Sequence, residues 1–129
     1  MTMIPKKFPT AALIDGEWVT SSKTFSVTDP ATGGEVAAVP NLGAEDAARA
    51  IDAAAKALPA WSAKTAKERA TILRRWFDLV TAETESLAQL MTTEQGKPLA
   101  ESRAEVGYGA SFIEWFAEEG KRAYGRTIP

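Results

Sequence analysis

Residues 106–117 read Val-Gly-Tyr-Gly-Ala-Ser-Phe-Ile-Glu-Trp-Phe-Ala, a helical pattern in which only Ser111 and Glu114 are plainly polar. Val106, Phe112, Ile113 and Phe116 cover one side of the helix this spacing predicts, and Tyr108 and Trp115 carry the apolar surface round to another. A helix apolar over most of its circumference is normally enclosed on several sides. The remaining sequence offers three modest helices and two hairpins, too little to enclose it. The 129 residues are therefore expected to be part of something larger.

Working outward, the texture changes near Pro40. Before it, Ala12-Leu13-Ile14-Asp15-Gly16-Glu17-Trp18-Val19 sets Asp-Gly between two apolar runs, and that pair supplies the positive φ values of a tight hairpin turn. A second hairpin is predicted from Thr24–Thr28 and Glu35–Val39, joined by Asp29-Pro30-Ala31-Thr32-Gly33-Gly34. After Pro40 the apolar period becomes helical. The first helix, Ala44 to Leu58, aligns Ala47, Ile51, Ala54, Ala55 and Leu58, and Pro59 is expected to stop it. The second opens on Thr65-Ala66-Lys67-Glu68, a capping box, and carries the stripe Ile72, Leu73, Trp76, Phe77 and Val80. A third, Glu83 to Thr93, ends at Gly96 with Pro98 beyond. The fold class is α+β: N-terminal β-hairpins followed by about four helices.

Composition excludes several kinds of chemistry. The sequence has no cysteine and no histidine. These residues therefore offer no thiol nucleophile, no disulfide, no zinc site of the usual Cys/His type and no catalytic imidazole. Fifteen basic against seventeen acidic residues give a net charge of −2, without the field that draws a chain onto nucleic acid or anionic lipid. No apolar run approaches the roughly 18 residues of a membrane span. The opening Met-Thr-Met-Ile-Pro-Lys-Lys lacks the apolar core of a secretion signal, which points to a cytoplasmic setting.

The polar motifs carry less. Gly107-Tyr108-Gly109 lacks the third glycine and the strand–turn–helix context of a phosphate loop, so small residues for close helix packing are the better account. Glu101 and Glu105, four apart on one face, read as a solvated face, as do the basic pairs Arg74-Arg75 and Lys121-Arg122. Trp61, Trp76, Phe77, Phe112, Trp115 and Phe116 have the spacing of a core. Thr92-Thr93-Glu94-Gln95-Gly96-Lys97-Pro98 reads as a helix C-cap or as an ion-binding corner.

Four motifs occur together in a recognisable order: Leu13-Ile14-Asp15-Gly16-Glu17-Trp18, Asp29-Pro30-Ala31-Thr32-Gly33, Thr93-Glu94-Gln95-Gly96-Lys97-Pro98 and Tyr124-Gly125-Arg126-Thr127-Ile128-Pro129. Their order and spacing resemble the N-terminal part of the aldehyde dehydrogenase family. Thr65–Trp76 and Ala110–Arg122 are similar to the bacterial succinate-semialdehyde dehydrogenases within it. The resemblance implies an N-terminal segment of an α/β enzyme with a Rossmann-like coenzyme domain, a catalytic domain and an oligomerisation arm. It implies a tail over residues 1–11, a hairpin region over 12–40, and over 41–129 the incomplete helical part of the coenzyme-binding domain.

The family chemistry is NAD- or NADP-dependent oxidation of an aldehyde, here succinate semialdehyde to succinate. A cysteine thiolate adds to the carbonyl, and a glutamate activates water to release the acid; thiolate is nucleophilic near neutral pH and a good leaving group. Those residues lie outside the present sequence, so the segment alone is expected to bind no cofactor and to turn nothing over. Another semialdehyde or amino-aldehyde dehydrogenase is the near alternative. A free-standing helical interaction domain is the alternative of a different class, and it would bury Val106–Ala117 within the monomer. By resemblance, Ala104 and Tyr108, with Phe112 and Trp115 beside them, would line the aldehyde tunnel; simple packing accounts for Tyr108 equally well. The Thr28 carbonyl and Glu94 carboxylate would hold a monovalent cation with a third ligand from elsewhere, hard oxygen donors suiting such an ion. The implied partners are a small aldehyde, the rest of the dehydrogenase chain and further copies of the enzyme, with no nucleic acid and no membrane.

Overall fold

A computed structural model of the chain describes residues 8–125. The first seven residues of the expected tail, and Arg126–Pro129 of the last motif, lie outside the described residues. Strands β1 (Ala12–Ile14) and β2 (Glu17–Val19) pair antiparallel, with Ala12 opposite Val19 and Ile14 opposite Glu17. Asp15 at φ 52° and Gly16 at φ 81° make the two-residue turn, both central residues taking the positive φ that the Asp-Gly pair accommodates.

Strands β3 (Thr24–Thr28) and β4 (Glu35–Pro40) form a separate two-stranded sheet, with the register shifting between Val27 and Thr28. Their connection is organised by Asp29, a largely buried residue whose carboxylate accepts from the Ala31 amide at 2.8 Å and the Thr32 hydroxyl at 3.1 Å. Such an Asx turn replaces the hydrogen bonds that the strands have stopped making.

Four helices follow: α1 (Ala44–Ser62), α2 (Ala66–Ala82), α3 (Thr84–Gln95) and α4 (Leu99–Glu119), the last running into a single 3₁₀ turn, Gly120–Arg122. Pro59 does not stop α1. Proline forfeits one amide hydrogen bond and crowds the carbonyl four residues back, but its own φ is helical. The turn beyond it closes through the Ala63 amide and the Ser62 hydroxyl, both donating to the Pro59 carbonyl at 3.0 Å. The Thr65–Glu68 box caps α2, and Gly96, at φ 74°, ends α3 in the left-handed conformation with its amide on the Thr92 carbonyl at 2.8 Å.

Helix α4 begins seven residues earlier than its apolar pattern. Leu99–Glu105 is largely polar, and it is held by Pro98 ahead of the first turn and by contacts with α3.

Among the described residues the buried apolar ones are Ile14, Val36, Ala37, Ala70, Ala88, Val106, Ala110 and Ala117. Five of the eight are alanines, so the interior is thin, and no tryptophan or phenylalanine belongs to it. The expectation of an aromatic core is therefore corrected. Trp76 is 56% and Trp115 62% exposed, because α2 and α3 both pack on α4 through small side chains and nothing among the described residues covers the larger ones.

Candidate functional site

Helix α4 positions the residues singled out by the sequence. Ser102, Val106, Ala110 and Ala117 form its buried stripe and face α2 and α3. At 100° per residue, Ala104, Tyr108, Phe112 and Trp115 fall on the opposite side as one continuous row. All four are exposed, Tyr108 to 67%, and the Tyr108 and Phe112 rings meet edge to face with centroids 4.9 Å apart. The structure thus brings the four together on one bare aromatic face.

Two grooves flank that row. A groove of about 610 Å³ runs between α3 and α4, lined among others by Leu87, Met91, Glu94, Val106, Tyr108 and Phe112. A second, of about 620 Å³, is bordered by Phe112, Trp115, Phe116 and Arg122. Glu94 therefore shares a groove with Tyr108. Thr28 stands at the end of β3, next to the Asp29–Pro30 turn, and that turn abuts the α3 C-cap so closely that a Cβ on Gly96 would lie 2.9 Å from Pro30 Cγ. The segments carrying Thr28 and Glu94 are neighbours in space. Among the described residues no cluster of three or more His, Cys, Asp or Glu side chains could hold a metal ion.

The ionic contacts link helices at their exposed edges. Arg103 on α4 donates twice to Glu85 on α3, at 2.7 and 2.9 Å. That contact, with Gln89 second, holds the Glu85 carboxyl below the usual glutamate range and raises the guanidinium. Glu101 and Glu105 are both exposed, and Glu105 pairs with Lys97 across the α3–α4 turn. Lys121 lowers Glu118 in the same way. Arg74, read from sequence as facing solvent, is exposed and from there reaches Glu114 on α4 at 2.9 Å, its guanidinium 4.8 Å from the Phe77 ring centre.

The Gly107-x-Gly109 pair lies mid-helix, where its amides serve the helical ladder. Among the described residues nothing packs closely against it: a Cβ on either glycine would meet no atom within 4 Å. Sequence reasoning missed the Thr92–Ser102 hydroxyl pair, in which Ser102 is fully buried and Thr92 partly so, since two small polar residues ten apart on different helices leave no periodic signal.

The sequence pattern of the aldehyde dehydrogenase family matches residues 18–129, and the chain belongs to that family. It is 59% identical over 124 residues to a succinate-semialdehyde dehydrogenase (NADP+) of Escherichia coli K12, and 58% identical over 124 residues to a glutarate-semialdehyde dehydrogenase of Pseudomonas putida. Each alignment covers 95% of this chain and 26% of the relative, so the chain spans about a quarter of the length of these relatives. Among solved structures, an E. coli NADP-dependent enzyme superposes with a TM-score of 0.90 at 59% identity, over 95% of this chain and 26% of the other. A Staphylococcus aureus betaine aldehyde dehydrogenase in complex with NAD+ gives 0.88 at 33% identity, over 95% and 25%. The hairpins and helices are thus an α+β segment of the aldehyde dehydrogenase fold. No helix among the described residues is long and apolar enough to cross a membrane.

Proposed function

We propose that these residues are the N-terminal quarter of a cytoplasmic, oligomeric, NAD(P)-dependent semialdehyde dehydrogenase that oxidises succinate semialdehyde to succinate. The observation that carries this reading is the bare row Ala104, Tyr108, Phe112 and Trp115. A free-standing domain would enclose these rings; an enzyme wall leaves them open to a passage completed by the rest of the chain. Residues 12–40 are its hairpin region, and 41–129 are the helical part of its coenzyme domain.

Rings on that row would exclude water and hold the uncharged carbon chain of a semialdehyde, in which role Tyr108 and Phe112, already in edge-to-face contact, lose little freedom on binding. The row has no cationic side chain to meet the substrate's carboxylate, which is assigned to residues outside the segment. The nicotinamide cofactor, NADP or NAD, supplies a hydride acceptor. The described residues do not fit it: the single Gly-x-Gly lies mid-helix, with no amides free to cradle a diphosphate. The Thr28 carbonyl and Glu94 carboxylate fit a monovalent cation as hard oxygen donors, and two such ligands need a third from elsewhere.

Glutarate semialdehyde is a second reading, favoured by relatives of that name at 58% and 57% identity beside the 59% of the succinate enzyme. The test is steady-state oxidation by the full-length protein with succinate, glutarate and betaine aldehydes, followed by nicotinamide absorbance. Tyr108→Ala is expected to raise the KM of the preferred semialdehyde about tenfold, roughly 1.4 kcal/mol, with kcat little changed. An unchanged KM overturns the placement of α4, and absence of any aldehyde oxidation overturns the function. Residues 1–129 alone are expected to show no turnover.

A further inference from the structure

We propose that the Thr92–Ser102 hydroxyl pair is a positioning device, which fixes the register of α3 against α4 and so sets the shape of the groove that Glu94 and Tyr108 share. The inference rests on the reading above, that α4 lines the aldehyde passage.

Ser102 is fully buried, and its hydroxyl shares a 2.8 Å hydrogen bond with that of Thr92. The neighbouring Thr93 turns its hydroxyl back to the Gln89 carbonyl of its own helix at 2.9 Å; Thr92 spends its hydroxyl between helices instead. The other polar links between α3 and α4, Arg103–Glu85 and Lys97–Glu105, join partly or largely exposed groups on long side chains that tolerate sliding. The apolar contact around Ala88, Val106 and Ala110 is non-directional and tolerates it too.

The hydroxyl pair does not. A one-residue slip moves a helix about 1.5 Å along its axis and turns its side chains by about 100°. Either motion would break the bond and leave the fully buried Ser102 hydroxyl without Thr92 as its partner, which is costly. Thr92 precedes Glu94 by two residues, and Ser102 precedes Tyr108 by fewer than two turns. Register error at the pair is therefore passed directly to both sides of the groove.

Adhesion alone does not require this chemistry, because replacing both partners of a buried hydrogen bond with apolar groups of similar shape is close to neutral for stability. That separates a positioning role from a structural one. In the full-length enzyme, the double variant Thr92→Val/Ser102→Ala is expected to melt close to the parent while its semialdehyde KM rises about threefold to tenfold and kcat stays within about twofold. Thr92→Ser, which keeps the bond, should retain the parental KM.

A parental KM in the double variant, or a KM that changes only in step with melting temperature, overturns the proposal. Should the double variant fail to fold, Thr92→Val with Ser102→Cys carries the same comparison, since it also removes the hydroxyls of both partners while filling more of the space. Tyr108→Ala, measured alongside, separates the two failures. If it raises KM and the double variant does not, only the register pin is lost. If Tyr108→Ala leaves KM unchanged, the passage reading fails and the pin's role in it falls too.

Discussion

Gly96 and Gly16 both hold left-handed backbone, at φ 74° and 81°, yet they are not equivalent. Around Gly16 a Cβ would meet nothing within 4 Å, so alanine there pays only for its φ, on the order of 1 kcal/mol. At Gly96 the same Cβ would lie 2.9 Å from Pro30 Cγ, inside any relaxed contact, and a proline ring yields little. Gly96→Ala is therefore expected to cost about 2 kcal/mol or more. It should lower the melting temperature of the full-length protein clearly more than Gly16→Ala; equal shifts would show that the turn around Pro30 adapts freely. The C-cap was legible from Thr93–Pro98 alone. That it is also wedged against the second hairpin was not, because Pro30 and Gly96 are 66 residues apart in sequence.

At the scale of elements, the α2 capping box adds a pH dependence. Glu68 accepts from the Thr65 hydroxyl at 2.8 Å and the Thr65 amide at 2.7 Å, and these bonds, the hydroxyl's first, lower its pKa. A carboxylate with a depressed folded-state pKa stabilises the fold above its unfolded value, about 4.3, and loses that contribution as pH falls through the lower folded value. Glu85 and Glu118 are lowered in the same direction. The melting temperature is thus expected to fall as pH drops below about 4.5, and Glu68→Gln should be less stable at neutral pH with a shallower acid slope. An unaltered slope would assign the acid sensitivity elsewhere.

Elements with local chemical signals were readable in advance: Asp15-Gly16, Thr65–Glu68 and Gly96 each mark a boundary where the structure has one. The misses are equally physical. Pro59 breaks a hydrogen bond without breaking α1, since the next turn supplies its own closure. The first turns of α4 lack apolar periodicity and depend on α3 through Arg103 and Ser102.

For the whole molecule, the accessible area is 9609 Å², nearly half as much again as the roughly 6,600 Å² of a compact monomer of 13.8 kDa. The alanine interior gives a reason: small side chains let helices approach but remove little surface from water. Ile72, Trp76, Tyr108, Phe112, Trp115 and Phe116 stay open, a surface that isolated proteins seldom tolerate. Prepared alone, residues 1–129 are expected to self-associate as concentration rises, and Trp115→Lys with Phe116→Lys should reduce that association. Sedimentation that stays monomeric up to high concentration would show that the face is compatible with water by itself. The sequence disclosed this imbalance through Val106–Ala117, but the helical spacing of the rings suggested a core because periodicity records which residues share a face and not whether anything meets it.

One detail of α4 bears on how that face behaves. Gly107 and Gly109 bracket Tyr108 with open space beside each, and a helix gives up about 1 kcal/mol at every such position relative to alanine. The 21-residue rod is therefore weakest at its aromatic waist, while Ser102 and Ala117 anchor it on either side. Backbone that costs less to distort there leaves the tyrosine ring room to shift without unseating the buried ends at Ser102 and Ala117.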